Sequence, residues 1–447
     1  MDKAMVFKKM PISFINYQGI DGEKIPKKVL FILRRLEAAG FLSFLVGGCV
    51  RDLICRKDGK DWDIVTDARP EQTQHIFYDY KALFIGKSFQ TITLIMDSAV
   101  YHISSLRNER KSNTTSTQEE RYHLFICDLL DRDFTINSLA WHPEKGLLDP
   151  AQGLPDLERK VLRSINPDLR FQEDPLRMLR AIRIACELNF TIDDKTKNSI
   201  KQHAFLIHRV SPERIREELS SILKNSAADR GVRMVRHYGL ERHIFSRDKL
   251  KRELVTIPDR KQTPLSGFNE IRDDLAAGLA LWGRHYFSSC SKARLFFFPL
   301  THNLRFKNRI VKKLKILLSR EWDEMDYSTG ENIRLLMAEL GRENCRTMFY
   351  LKKIWLFSKA ESVKLNKLVR EEELLHSELQ KNPPISLTDL AIGGEDLIKI
   401  GIPPGKRIGE ILQILLNKIL LSPQNNRKDY LLEQAIAIQE QFLQVKK

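Results

Sequence analysis

Periodicity constrains this chain of 447 residues more than its composition does. From Asp174 to the end almost every segment repeats apolar residues at three- and four-residue spacing, the mark of amphipathic helices. Before Asp149-Pro150 the pattern is mixed. Lys27 to Ala39 is helical, with Val29, Leu30, Ile32, Leu33 and Leu36 on one stripe and Gly40 ending it. Ser43 to Val46 reads as an apolar strand that stops on Gly47-Gly48, with a helix from about Cys49. Ile64 and Val65 belong to a further strand, and Thr66-Asp67-Ala68-Arg69-Pro70 opens another helix. Thr91 to Met96 and Val100 to Ser104 alternate like paired strands. The fold class expected is α+β, a small α/β head on a long all-α body. The expected division is an N-terminal extension over 1–25, a head over 26–150, neck helices over 151–256, and a helical body and tail over 257–447. Residues 257–270, rich in Pro, Gly and polar side chains, are the linker candidate.

The formal net charge is +16. Such an excess favours an anionic partner, commonly nucleic acid, although a basic balance also serves solubility. The six cysteines show no CxxC or zinc-finger spacing. That fits a reducing cytoplasm without structural disulfides. The N-terminus lacks the apolar run of a signal peptide. No stretch approaches the roughly 20 apolar residues that cross a bilayer, so no membrane partner is expected.

The chemistry concentrates behind the double glycine. Asp61-Trp62-Asp63 follows twelve residues after Phe44-Leu45-Val46-Gly47-Gly48. Strand alternation puts Asp61 and Asp63 on one face. Two carboxylates there make a hard-oxygen site suited to Mg²⁺. Gly47 and Gly48 let the backbone approach a triphosphate and offer N–H groups at a helix start. Nucleotidyl transfer onto a 3′-hydroxyl uses two such ions, roughly 3.5–4 Å apart. Gly-Gly alone is usually a turn and Asp-x-Asp alone a solvated loop; their combination behind an apolar strand is the informative signal.

LVGGCVRD followed by DWDIVTDARPEQ resembles the head signature of class II tRNA CCA-adding enzymes and bacterial poly(A) polymerases, within the polymerase-β-like nucleotidyltransferases. The resemblance implies Mg²⁺ on Asp61 and Asp63, and Gly48 and Arg51 against the incoming nucleotide. Asp131-Arg132-Asp133-Phe134-Thr135-Ile136-Asn137 is similar to the family's RRDFTIN block. By that match Arg132 binds the nucleotide, while Asp133 and Asn137 order the sugar and the surrounding fold. DPAQGLPDLERKVLR and then Glu173-Asp174-Pro175-Leu176-Arg177 are similar to the segment that ends in the EDxxR helix. LTDLAIGGEDLIKIGIPPGKRIGEILQILLNKIL resembles the tail of CCA-adding enzymes, which turns the reading toward tRNA. The implied architecture is a nucleotidyltransferase head with an elongated all-α neck, body and tail.

Asp174, Arg177, Arg180 and Arg183 recur every three residues, along one stripe of a helix. A carboxylate accepts and a guanidinium donates a fixed fork, so together they can read a base edge without a template. Arg180 and Arg183 reinforce that site or reach phosphates. The same residues also suit an N-cap and a solvated face. Arg305 to Leu318 forms a basic amphipathic helix in which Phe306, Ile310, Leu314, Leu317 and Leu318 turn inward. Arg305, Lys307, Arg309, Lys312 and Lys313 remain for an RNA backbone, with a membrane surface or plain solvent as the alternatives.

Three departures from the family pattern stand out. His102 occupies the place of a glutamate that is the candidate third carboxylate, and histidine is a poor Mg²⁺ ligand; Asp97 is one possible substitute. Asp131 replaces an arginine. The loop 108–123 lacks the usual DGxYxDxRxP pattern. The expected activity is template-independent addition of C and/or A to the tRNA 3′ end from CTP and ATP. A poly(A) polymerase, and an RNA-binding protein with a decayed site, are the alternatives.

Overall fold

The computed structural model describes residues 12–57, 61–84, 90–97, 99–106, 117–245, 265–287, 289–322 and 327–444. Its N-terminal part is organised by a mixed sheet. The strands are β1 (Phe14–Ile15), β2 (Ser43–Val46), β3 (Asp63–Thr66), β4 (Lys81–Phe84), β5 (Thr91–Met96), β6 (Ala99–Ser105), β7 (Ala140–His142) and β8 (Gly146–Leu148). Their order is β1-β8-β7-β2-β3-β6-β5-β4. All neighbours run antiparallel except β3 and β6. The expected extension therefore contributes a strand, because Phe14 and Ile15 pair with Leu148 and Leu147.

Alternation along β2 assigns the two faces. Phe44 and Val46 turn toward a core shared with Val65, Leu106 and the helix Gln118–Leu130, which supplies Phe125, Ile126 and Leu129. Ser43 turns the other way, and its Oγ donates to the Leu33 carbonyl of the helix Lys27–Ala38 at 3.3 Å. That helix buries Val29, Ile32, Leu33 and Leu36 of the stripe read from sequence and leaves Leu30 half-buried. Each such side chain contributes about 1.5–3 kcal/mol on burial. At this length, packing outweighs intrinsic propensity in holding the helix.

Asp149 ends the strand region by accepting from Gly153 N (2.6 Å) and Leu154 N (2.9 Å), which starts the helix Gly153–Glu158. The helices Pro167–Glu173, Arg177–Leu188, Asp194–His203 and Pro212–Leu223 follow. One short interruption was not foreseen: β9 (Val161–Leu162) pairs parallel with β10 (Thr191–Ile192), within the 151–256 stretch expected to form neck helices.

The described residues of 1–218 and 234–252 form one compact unit, and those of 219–233 and 253–447 a second. In the second, the helix Leu275–Tyr286 is buried nearly all round. It packs with Cys290–Asn303, Asn308–Leu317 and Arg342–Ser358. A buried pair, Lys352 Nζ to Glu371 Oε2 at 2.6 Å, joins Arg342–Ser358 to Ser362–Lys381. Of the linker candidate, residues 257–264 lie outside the described residues. Its last part is core: Leu265 and Phe268 are buried, and Phe268 N donates to Asp229 at 2.6 Å. Among the described residues no helix is long and apolar enough to cross a membrane.

A Cβ at Gly153 would lie 2.3 Å from the Thr135 carbonyl oxygen. Backbone cannot yield there as a flexible side chain would. Gly153→Ala is expected to destabilise the first unit by about 1–3 kcal/mol, seen as a lower urea midpoint at unchanged slope.

Candidate active site

The site grows from the C-terminal end of β2. Gly47 takes φ +78°, a left-handed conformation that favours glycine, and donates to the Leu139 carbonyl at 3.1 Å. A Cβ there would lie 3.0 Å from Arg132 Nη1. Gly48 opens the helix Gly48–Ile54, which carries Arg51. The antiparallel neighbour β3 begins at Asp63 rather than Ile64, and Asp61 lies in the bend before it. Trp62 between them is buried while both acids are exposed, the alternation read from sequence.

The parallel register sets His102 beside Asp63, and the β5 register sets Thr93 beside His102. Thr93 Oγ1 and His102 Nδ1 are 3.3 Å apart. Although Asp63 is exposed, partial desolvation by the surrounding protein raises its carboxyl above the ordinary range. Arg132 and His102 pull it down, and the Asp61 charge pushes it up. Asp97 lies in the turn between β5 and β6 and pairs with Lys28. Among the described residues no three acidic, histidine or cysteine side chains are grouped as a metal cage.

The helix Gln118–Leu130 and the turn after it deliver the next residues. Arg132 reaches Asp128 only at 3.5 Å, and its buried Nε has no hydrogen-bond partner among the described residues. It thus keeps donor capacity beside Gly47 and Asp63. Asp133 accepts from Phe134 N (3.0 Å), Asn137 Nδ2 (3.1 Å) and Arg180 Nε (2.7 Å). Asn137 Oδ1 in turn accepts from Arg51 Nη1 at 2.8 Å. One network therefore joins Arg51, Asn137, Asp133 and Arg180. Burial would raise the Asp133 carboxyl, but Arg180 and Asn137 outweigh it and hold it below the ordinary range.

Arg177, Arg180 and Arg183 share one helix as expected, but Asp174 lies outside it, its backbone carbonyl accepting from Arg177 N at 3.1 Å. The helix begins at Arg177 with Leu176 as its N-cap, so Asp174 precedes it. Asp174 instead receives a bidentate fork from Arg214, at 3.2 and 2.8 Å. Arg177 leans on Glu173 at 3.4 Å, and burial lowers its guanidinium against Asp133 and Asp174. Arg183 is engaged by Glu218 (2.7 Å) and Glu187 (2.8 Å). Arg214, Glu218 and Arg170 were not singled out from sequence. Arg214 and Glu218 lie in the Ser211-Pro212-Glu213-Arg214 helix start and its first turns, a segment similar to the family's site-supporting neck helix in which each single residue reads equally well as part of a capped helix with mixed surface charge.

Of the loop 108–123, residues 108–116 lie outside the described residues. Thr117 onward is the cap and first turns of Gln118–Leu130. In the second unit Arg305, Lys307, Arg309 and Lys312 are exposed. Lys313 is instead held by Asp274 and Glu343, both at 2.8 Å. Ile310 is half-buried, while Phe306, Leu314, Leu317 and Leu318 are buried as expected.

The family profile described as Poly A polymerase head domain matches residues 43–163. Those described as probable RNA and SrmB-binding site of polymerase A, and as putative tRNA nucleotidyltransferase domain 2, match 189–248 and 291–435. The CCA-adding enzyme of Bacillus subtilis is 30% identical over 421 residues, 92% of this chain and 98% of the relative. The chain belongs to the family of CCA-adding enzymes and bacterial poly(A) polymerases. Another member of that family, the CC-adding tRNA nucleotidyltransferase of Halalkalibacterium halodurans, is 34% identical over 54% of this chain and 60% of its own. The fold is that of the Bacillus stearothermophilus CCA-adding enzyme in complex with CTP, with a TM-score of 0.70 at 23% identity over 93% of this chain and 98% of that one. As a member of the CCA-adding and poly(A) polymerase family, the chain is an RNA nucleotidyltransferase.

Because the Asp133 carboxyl is lowered on folding, its stabilisation is complete above the unfolded value of about 3.9 and is lost as pH falls through the folded value. Asp133→Asn should be less stable near neutrality and should lose less melting temperature than the wild type below about pH 4. Parallel melting curves over that range check this.

Proposed function

We propose that this chain adds C and/or A to the 3′ end of tRNA, using CTP and ATP, in the reducing cytoplasm. The supporting observation is the junction of Gly47, Arg132 and the two exposed acids Asp61 and Asp63, with the Arg51–Asn137–Asp133–Arg180 network beside it. Relatives that match 88% and 92% of this chain are CCA-adding enzymes. Among the described residues the six cysteines form no disulfide, which suits a reducing compartment.

Two carboxylates, with the substrate's own phosphate oxygens, fit a pair of Mg²⁺ ions. Asp61 and Asp63 would hold Mg²⁺, which would supply the Lewis acidity and positive charge that nucleotidyl transfer to a 3′-hydroxyl uses. Gly47 and Gly48 bring backbone close to the triphosphate, and Arg51 and Arg132 add cationic donors. Asp133 and Asn137 order the sugar side. Asp174 and Arg177 read the base edge, steadied by Arg180 and Arg183. The exposed Arg305, Lys307, Arg309 and Lys312 meet the RNA backbone; Lys313, tied to Asp274 and Glu343, serves that helix's packing first.

A second reading is addition of only part of CCA, favoured by the CC-adding relative. The test gives the purified chain Mg²⁺, single nucleoside triphosphates, and tRNA ending at the discriminator base, at C or at CC. Three defined additions support the full activity; additions stopping at CC, or a single A on CC ends only, support the partial one. A long A ladder on an unstructured oligonucleotide would replace both with a poly(A) polymerase. Asp61→Ala and Asp63→Ala should each lower incorporation by about 10²–10³ or more, the scale for losing one preorganised charged group, with RNA retention on filters unchanged.

A further inference from the structure

Four charges run from the end of the head block into the reading helix. Asp131 Oδ1 accepts from Arg170 Nη2 at 2.6 Å, and Arg170 Nη1 donates to Glu173 Oε2 at 2.7 Å. The same Glu173 oxygen meets Arg177 Nη1 at 3.4 Å. Signs alternate along the row, and the four formal charges cancel. Arg170 is nearly sealed from water, its side chain 7% exposed. Its Nη2 also donates to the Leu130 carbonyl at 3.1 Å.

A buried guanidinium takes up whatever negative charge lies within reach. With Asp131 present, Arg170 has a carboxylate of its own, and Glu173 is left to be shared with Arg177. Without Asp131, two arginines compete for one glutamate. The 2.7 Å contact prevails over the 3.4 Å one. Arg170 and Arg177 also repel each other. Losing Asp131 thus unfastens Arg177 twice over, by drawing its partner away and by unmasking a like charge. An arginine at position 131, the residue of the family pattern, would set a third cation against this row.

We infer that Asp131, acting through Arg170 and Glu173, is a positioning residue for Arg177 and thereby sets the choice between CTP and ATP. This rests on the base-reading role proposed for Arg177. Position 131 then marks a rewired support for the reading residue and not a worn-out site.

The experiment uses the full chain with Mg²⁺ and tRNA ending at C and at CC. Steady-state constants for CTP and ATP are measured for the wild type, Asp131→Asn, Asp131→Arg, Glu173→Gln, Arg177→Ala and the double variant Asp131→Asn/Arg177→Ala. Asp131→Asn and Glu173→Gln should raise nucleotide KM roughly tenfold, the scale of one coupled charge contact, with kcat within about twofold. They should shift the CTP-to-ATP preference in the direction that Arg177→Ala does, and Asp131→Arg should shift it further. Adding Asp131→Asn to Arg177→Ala should change nothing more. If Asp131→Asn keeps wild-type KM and preference while Arg177→Ala shifts them, the relay is overturned and base reading survives. If Arg177→Ala leaves the preference intact, base reading fails and the relay with it. An equal fall in kcat for both nucleotides with a lower melting temperature, and no change in preference, would make Asp131 merely structural and overturn the inference.

Discussion

The buried carboxylate of Asp133 is the interaction on which the candidate site depends. It is charged in a place where burial alone would neutralise it, and it stays so because three donors converge on it. One donor is its own neighbour's backbone, one the amide of Asn137, and one a guanidinium 47 residues further along. A buried ion left without its partner costs several kcal/mol. The contact therefore specifies where the helix Arg177–Leu188 lies relative to the sheet that carries Asp63. Placement of this kind suits nucleotidyl transfer, where the protein mainly positions groups and neutralises charge.

Much of this was legible in the sequence, for reasons that differ by residue. The strand Ser43–Val46, the helix over Lys27–Ala38 and the pair Thr91–Met96 with Ala99–Ser105 follow from local periodicity, and the structure has them within a residue or two. The two acids around Trp62 needed only alternation. The short strands β4, β7 and β8 left no pattern long enough to read, and β1 lay in a segment without periodicity. These strands exist because partners far along the chain complete their hydrogen bonds.

The partners of charged side chains were the least legible. Spacing put Asp174 on one helical stripe with Arg177, both facing a base edge, yet Asp174 precedes the helix and its carboxylate takes a fork from Arg214, 40 residues on. Lys313 looked available to a phosphate backbone, yet Asp274 and Glu343 hold it. Spacing along one helix says which side chains share a face; it says nothing of a cation arriving from another helix. His102 is the converse case. The motif set it at the candidate third-carboxylate position, and the parallel register of β3 and β6 puts it beside Asp63.

The bonds that cross residue 150 bear on how segments can be exchanged between relatives. Asp131–Arg170, Asp133–Arg180 and Thr135–Asp156 all straddle the point where sequence character changes. A chimera joined at that visible seam would inherit donors from one parent and acceptors from the other. Joined beyond Glu218, where Arg183 finds its last counter-ion, the graft would carry the whole set intact.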